Sequence, residues 1–330
     1  MAQRRIWKKI LFLAVLLLFL FFFSFVLGRY PISPRDVLRV LLGQERNSTL
    51  VSVILHIRLP RILLSCLVGA GLSVAGTAYQ GVFQNPMAAP DVLGASSGAA
   101  FGAALAILLG LSGQWITVLA FFGSLLAVLL AYLVGQHTKG RKVINLVLAG
   151  VMVSSLFSAG TAYIKLVADP TNQLPAITYW LMGSLSGVRL QEIAAAIIPV
   201  LLGLIPLWLV RWRINVLSFG DEEARTMGVN ASALRLVVIV SATLLTAASV
   251  SLSGMIGWVG LVIPHLSRRM AGNDYRYLLP VSMLMGASFL LVVDNLSRNL
   301  LATEIPVGIL TAFVGAPFFI YLMWGEERFT

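Results

Sequence analysis

Three arginines have the side-chain chemistry and spacing of a recognition site. Arg58 and Arg61 are three residues apart in RLPR, where Pro60 fixes a helix start, so both lie on roughly one helix face. Arg298, in DNLSRNLLATEIP, falls on the same exterior side by the orientation derived below. Guanidinium groups suit bidentate recognition of carboxylates. Two interpretations stay open: anchoring to lipid headgroups, or docking of an acidic soluble partner.

A proline-rich turn follows the second apolar run. It reads QNPMAAPD over 84–91, and Pro86 and Pro90 break the helices on either side. Asn85 can satisfy backbone groups that the breaks leave open, and Asp91 can cap the next helix. The segment is either a tight connection or a re-entrant, gating turn at the cytoplasmic mouth of a bundle.

The longest interior loop, NVLSFGDEEARTMGVNASALR, carries the signals of a short, water-exposed helix. Ser218 and Asp221 have capping-box spacing, and Asp221 can pair with Arg225 one turn later. Gly228 can end this helix and Asn230 can cap the next. A solvated face would explain these residues, but a plain connection needs far fewer, so we predict a docking element for a soluble partner. Its candidate residues are Gly220, Asp221, Glu222, Ala224, Arg225 and Gly228.

The segment 253–269 combines glycines with a helix-breaking proline. Gly260 lets a neighbouring helix approach, and Pro264 removes a backbone donor. His265 is expected to hold the broken turn by a hydrogen bond. No other His, Cys or carboxylate stands at ligand spacing, so no metal site is predicted. Glycines inside other spans, such as Gly76, are expected to let helix backbones pack closely.

The chemistry of energy coupling is missing from this sequence. It contains no G-x-x-x-x-G-K-[ST] phosphate loop and no pair of catalytic groups at workable spacing. The chain is therefore not predicted to be an enzyme, and any ATP is hydrolysed by another subunit. The apolar runs hold almost no charged residues, so we expect no buried polar cluster of the kind that an ion-coupled secondary transporter needs.

The elements that must position these residues are membrane-spanning helices. The 330-residue chain is 58% apolar and 11% charged, against about 45–50% and about 25% in soluble domains, which excludes a soluble enzyme. We predict an all-α bundle in one domain, 1–330. The first apolar run is predicted to stay as a helix, because it exceeds the usual signal-peptide core of about 7–15 residues. About ten spans fall near 8–28, 61–84, 92–111, 115–135, 143–166, 191–211, 232–252, 255–270, 278–294 and 306–324.

Basic residues set the expected orientation. The net charge is +11, and most of the 24 Lys and Arg residues fall on one side if the N-terminus is inside. This bias predicts that both termini are cytoplasmic. Six arginines go against the rule because they lie in one exterior segment, which calls for another explanation; they are Arg29, Arg35, Arg39, Arg46, Arg58 and Arg61.

Six ordered segments resemble the FecCD permease family. They are RLPR (58–61), NPMAAPDVLGASSGA (85–99), LPAITYWLMGSLSG (174–187), LSFGDEEARTMGV (217–229), GWVGLVIPHLSRRMAGNDYRYLLP (257–280) and EIPVGILTAFVGAPFF (304–319). These permeases are the membrane subunits of type II ATP-binding-cassette (ABC) importers for iron-siderophores, haem and cobalamin. Mild departures from the family pattern occur at Met87, Ala89 and Trp258.

The resemblance implies ten helices, a second permease subunit that is identical or related, an ATPase dimer and an extracytoplasmic substrate-binding protein. It implies that the helix at 217–228 couples to the ATPase. Arg58, Arg61 and Arg298 match arginines that meet glutamates of the binding protein. The cytoplasmic gate would contain Asn85, Pro86 and Met87, and the helix-break motif Gly260, Pro264 and His265.

The expected function is thus a multi-pass permease in the cell membrane of a prokaryote. Ferric siderophore is the expected substrate, with cobalamin or haem as alternatives within the family and an ion-coupled secondary transporter as the alternative class. ATP and Mg would bind the partner ATPase, and this chain would bind no cofactor. Membrane lipid is a partner and nucleic acid is not.

Overall fold

The computed structural model describes residues 2–45, 47–139 and 142–326, and these residues form helices without strands. Three arginines that enter the charge bias, Arg46, Arg141 and Arg328, lie outside them. The helices are α1 (Ala2–Val26), α2 (Pro34–Leu41), α3 (Ser48–Ser52), α4 (Leu59–Val82), α5 (Ala95–Leu108), α6 (Gly113–His137), α7 (Lys142–Val167), α8 (Gln173–Met182), α9 (Leu190–Leu217), α10 (Asp221–Thr226), α11 (Ala231–Ser253), α12 (Val259–Ala271), α13 (Tyr275–Asn299) and α14 (Val307–Glu326).

The predicted all-α membrane bundle is confirmed, and the helices follow the predicted spans. Among the described residues, seven helices are long and apolar enough to cross a membrane. The shorter apolar helices α5 and α14 and the proline-containing α12 match three more predicted spans. The second span is longer than predicted, because α3 and a π-helical segment, Val53–Arg58, continue directly into α4.

Helix α8 was not expected as an element of its own. It occupies the exterior connection between α7 and α9, ends at Gly183 with a φ of 74°, and has only 10 residues. A helix of that length lies below the roughly 20 residues that signal a span, so hydropathy alone does not find it.

An inner and an outer layer differ in burial. In the most apolar 18-residue stretch of each helix, 78% of the residues are buried in α11 and 61% in α13, against 17% in α1 and 22% in α9. Helix α4 lies in the middle and contacts α9, α11, α12 and α13, while α5, α6 and α7 pack together at one side. The outer helices therefore present their apolar faces outward, as a bilayer requires.

Two glycine contacts fix how closely α4 approaches its neighbours. A Cβ atom on Gly69 would lie 2.3 Å from the carbonyl oxygen of Gly286 in α13, and one on Gly76 would lie 1.8 Å from that of Gly260 in α12. Neither distance leaves room for a side chain. The predicted role of these glycines in close helix packing is thus confirmed.

Candidate functional site

The three arginines predicted to dock a partner lie together at the exterior end of the bundle, but they are buried. Arg58, Arg61 and Arg298 are 4%, 6% and 7% exposed. Arg58 ends the π-helical segment that leads into α4, Arg61 lies in the first turn of α4, and Arg298 lies in the last turn of α13. The contact between α4 and α13 brings the two helix ends together.

Arg58 is held by the end of α1. Its guanidinium group donates to the carbonyl oxygens of Phe25, Val26 and Tyr30, the last at 2.5 Å. The last carbonyl groups of a helix have no partner within the helix and carry partial negative charge. Arg58 therefore satisfies the C-terminal end of α1 and fixes that helix against α4.

Arg61 and Arg298 share one buried carboxylate. Arg61 Nε lies 2.7 Å from Asp294 Oδ1, and Arg298 Nε lies 3.2 Å from Asp294 Oδ2. Arg61 Nη1 also donates to Glu304 Oε2 at 2.7 Å, and Arg298 donates to the side-chain oxygen of Asn295. The Asp294 side chain is fully buried, whereas that of Glu304 is 33% exposed. Glu304 is thus the outermost carboxylate of the network.

This network corrects one expectation from the sequence, since the bundle does contain a buried polar cluster. We define the exterior ion cluster as Arg61, Asp294, Arg298 and Glu304. Asp294 and Glu304 were missed as site residues. The four-residue spacing of Asp294 and Arg298 on one helix was the available signal for that pair. The docking role of the arginines stays a prediction, because these contacts are internal.

The predicted gate turn, 84–91, follows α4 in the chain and contacts the end of α9. Asn85 Oδ1 accepts from the Met87 backbone nitrogen at 2.9 Å, and Gln84 Nε2 donates to the Leu217 carbonyl oxygen at 2.7 Å. Asp91 Oδ1 accepts from the Ser96 backbone nitrogen at 2.6 Å, so Asp91 satisfies a backbone group in the first turn of α5, although the N-cap position itself is Gly94. Burial raises the pKa of the Asp91 carboxyl, and the hydrogen bonds from Ser96 oppose that shift.

The gate turn also meets the helix-break segment. A Cβ atom on Gly260 would lie 2.1 Å from Pro90 Cγ, and Trp258 precedes α12 with a φ of 70°. Pro90 of the gate turn and Trp258 of the helix-break segment line a cavity of about 930 Å³, together with Met255 and the α14 residue Phe313. Of the predicted gate and helix-break residues, only Gly260 lines this cavity; Asn85, Pro86, Met87, Pro264 and His265 do not.

Helix α10 forms in the interior loop, although two of its predicted contacts are wrong. Its N-cap is Gly220, while the Ser218 hydroxyl donates to the Asn215 carbonyl oxygen at 2.7 Å, so Ser218 is not the cap. Asp221 pairs with Arg235 of α11 at 2.8 Å and not with Arg225. The Arg235 side chain is only 3% exposed, so an ion pair there is less weakened by water than one with the exposed Arg225 would be.

The ends of the α10 segment agree with the sequence prediction. Gly228 follows the helix with a φ of 78°, and Asn230 Oδ1 accepts from the Ala233 backbone nitrogen at 3.0 Å to cap α11. Ala224 is buried against the bundle, while Phe219 and Met227 are 69% and 61% exposed. Helix α10 therefore offers exposed apolar side chains at both of its ends.

No candidate metal centre emerges from the residues that the structure describes. Within them, no three His, Cys, Asp or Glu side chains come close enough together to hold a metal ion. His265 lies in the middle of α12, partly buried, next to the buried Pro264.

This all-helical bundle is that of a polytopic membrane permease of the ABC-transporter class. The model of the FecCD transport family matches residues 16–325, and the chain belongs to that family. The molybdate import system permease protein MolB of Haemophilus influenzae is 40% identical, covering 98% of this chain and 97% of that protein. The Fe(3+)-citrate import system permease protein YfmE of Bacillus subtilis is 39% identical, covering 99% and 97%. A solved inward-facing structure described as a metal-chelate type ABC transporter superposes with a TM-score of 0.87 at 38% identity, covering 96% of this chain and 99% of that one.

Proposed function

We propose that this chain is the permease subunit of an ABC importer that moves a metal chelate, a ferric siderophore, into a prokaryotic cell by alternating access. The observation that best supports the proposal is the position of α10. This short helix lies between two spanning helices at the cytoplasmic end, with Phe219 and Met227 exposed at its ends. An exposed helix with apolar flanks is suited to dock in a cleft of a soluble partner.

The Asp221–Arg235 ion pair supports a coupling role for α10. It joins the first residue of α10 to a buried side chain of α11 at 2.8 Å. Helix α11 is 78% buried in its most apolar window, so a displacement of α10 would pass into the core of the bundle. In the proposed mechanism, an ATPase dimer binds ATP and Mg, closes, and moves α10. This chain binds no cofactor and works with a second permease subunit.

Docking of an extracytoplasmic binding protein is proposed at the exterior ion cluster. All three arginines have internal partners and low exposure, but Glu304, which pairs with Arg61, is 33% exposed, so an acidic partner would reach the cluster by displacing Glu304 from Arg61. If a carboxylate of the binding protein replaced that of Glu304, the charge of Arg61 would stay neutralised during docking. Such an interaction should weaken with salt, because charge attraction between exposed groups is screened.

The substrate is proposed at the level of its chemical class. The two relatives described above are named for molybdate and for Fe(3+)-citrate, so this family handles more than one kind of cargo. A ferric siderophore is our first choice, with cobalamin or haem as alternatives. The cavity between the gate turn and α14 is mainly apolar in its lining, with Asp91, Ser96 and Thr246 as polar groups.

The test is ATP hydrolysis by the purified permease–ATPase complex in lipid. The cognate binding protein is added in turn without ligand, with ferric siderophore, with haem and with cobalamin. Stimulation by one loaded form supports the importer and identifies its cargo. Failure of the permease to assemble with any ATPase would contradict the coupling role of α10.

An ion-coupled secondary transporter, the alternative class from the sequence, disagrees with membership of the FecCD family, although the exterior ion cluster supplies one feature that it would need. Such transporters need buried charged groups, and Asp294 and Arg61 are buried ones. Uptake by the chain alone in proteoliposomes, driven by a pH gradient and abolished by a protonophore, would support this candidate. Uptake that requires ATP and persists with a protonophore would exclude it.

A further inference from the structure

The cytoplasmic end of α9 carries a cluster of aromatic and basic side chains that the proposed transport function does not use. Arg211 lies over the ring of Trp208, with 4.1 Å between the guanidinium carbon and the ring centroid. Arg213 lies 5.8 Å from the ring of Trp212 in the same way. Both indole rings remain accessible, at 38% and 50% exposure. Such pairs combine an apolar surface with a fixed positive charge.

A cavity of about 470 Å³ lies between this end of α9 and the start of α13. It is lined by Trp208, Leu209, Arg211, Trp212 and Arg276. Arg276 forms an ion pair with Asp274 at 2.7 Å and is 58% exposed. In the described chain, Arg211 makes no ion pair with a carboxylate. The cavity therefore joins aromatic walls to an excess of positive charge.

The cavity lies at the level expected for lipid headgroups. The basic start of α1 is at the same end of the bundle, because Lys9 Nζ donates to the Met270 carbonyl oxygen at 2.7 Å. Trp7 packs edge-on against Tyr277, with 6.4 Å between ring centroids. Tryptophan and tyrosine collect at membrane–water interfaces, and basic residues collect on the cytoplasmic side. The helix α9 itself runs from this level into the apolar part of the bundle.

We propose that this cavity binds the phosphate group of an anionic phospholipid from the cytoplasmic leaflet. Arg211 and Arg276 would contact the phosphate oxygens, while the rings of Trp208 and Trp212 would cover the glycerol and the first part of the acyl chains. A zwitterionic lipid fits less well, because its ammonium group would face an already positive cavity. Basic pockets at the cytoplasmic side of a bundle are suited to anionic headgroups.

Native mass spectrometry of the full-length chain with added phosphatidylglycerol or phosphatidylcholine tests this proposal. Wild type should retain phosphatidylglycerol in preference to phosphatidylcholine. Arg211→Gln should lower the phosphatidylglycerol affinity about fivefold, the effect of losing one basic residue at an anionic surface. Arg211→Lys keeps the positive charge but loses the planar guanidinium group, so its affinity for phosphatidylglycerol should lie between those of wild type and Arg211→Gln.

Arg213→Gln is the matched control. It removes the same charge from a neighbouring position of α9, but Arg213 does not line the cavity. Its affinity should fall by less than that of Arg211→Gln, since the Arg213 charge acts on the cavity only at a distance and through its contact with the Trp212 ring. Equal retention of both lipids by wild type, or equal losses in the two glutamine variants, would overturn the proposal. Displacement of the lipid by glycerol phosphate would assign the cavity to a soluble anion and overturn the lipid assignment.

Discussion

Replacing Asp294 with asparagine should destabilise the bundle, because Arg298 then stays buried without a carboxylate. Asp294 contacts both Arg61 and Arg298, at 2.7 and 3.2 Å, and its side chain is fully buried. Arg61 keeps Glu304, whereas Arg298 keeps only the amide oxygen of Asn295. Removal of one partner from a buried ion pair costs about 3–5 kcal/mol. With an unfolding entropy of about 2.1 cal/mol/K per residue over 330 residues, the Tm should fall by about 4–7 °C.

Asp274→Asn is the matched control, because it makes the same chemical change at the other end of the same helix. Asp274 pairs with Arg276, which is 58% exposed, and exposed pairs contribute about 0–1 kcal/mol. Its Tm should change by about 1 °C. Thermal unfolding of both full-length variants in detergent, followed by intrinsic fluorescence, gives the comparison. Equal Tm values for the two variants would refute the assignment of Asp294 as a buried ion-pair partner.

A double variant tests the cause of the Asp294 effect. Asp294→Asn combined with Arg298→Met removes both the carboxylate and the charge that it leaves behind. The double variant should be about 1–3 kcal/mol more stable than the sum of the single effects predicts, as for residues in direct contact. Additive effects would contradict the proposed coupling between these two side chains.

Three further perturbations address coupling, docking and packing. Arg235→Gln should raise the amount of ATP hydrolysed per substrate taken up by the assembled transporter about tenfold or more, since the loss of about 1.4 kcal/mol in one interaction corresponds to a factor of ten. Arg225→Gln, at an exposed position, should change this ratio little. Glu304→Gln should raise the affinity for an acidic binding protein in low salt, measured by surface plasmon resonance; unchanged affinity would count against docking at this site. Gly76→Ala should cost about 1–3 kcal/mol of stability from overpacking, and wild-type Tm would disprove the close contact.

The fold class and the positions of the spanning helices could be predicted from the amino-acid sequence. In a membrane each backbone group must be satisfied within its own helix, so a run of apolar residues marks a span without reference to the rest of the chain. Helix ends were also predictable where the capping signal is local. Asn230 caps α11 through its side-chain oxygen, and Gly228 follows α10 because a residue without a Cβ atom adopts a positive φ at little cost.

The partners of the charged side chains, in contrast, depend on how distant helices pack together. Arg61 is separated by 233 and 243 residues from the carboxylates that it contacts, and no local pattern selects them. Asp221 had a local partner available in Arg225 but pairs with Arg235, since α11 presents that side chain in a buried site where the ion pair is stronger. Burial depends on how α4, α11 and α13 pack. Arg58, Arg61 and Arg298 were therefore predicted as an exterior docking site, but their side chains are buried in internal contacts.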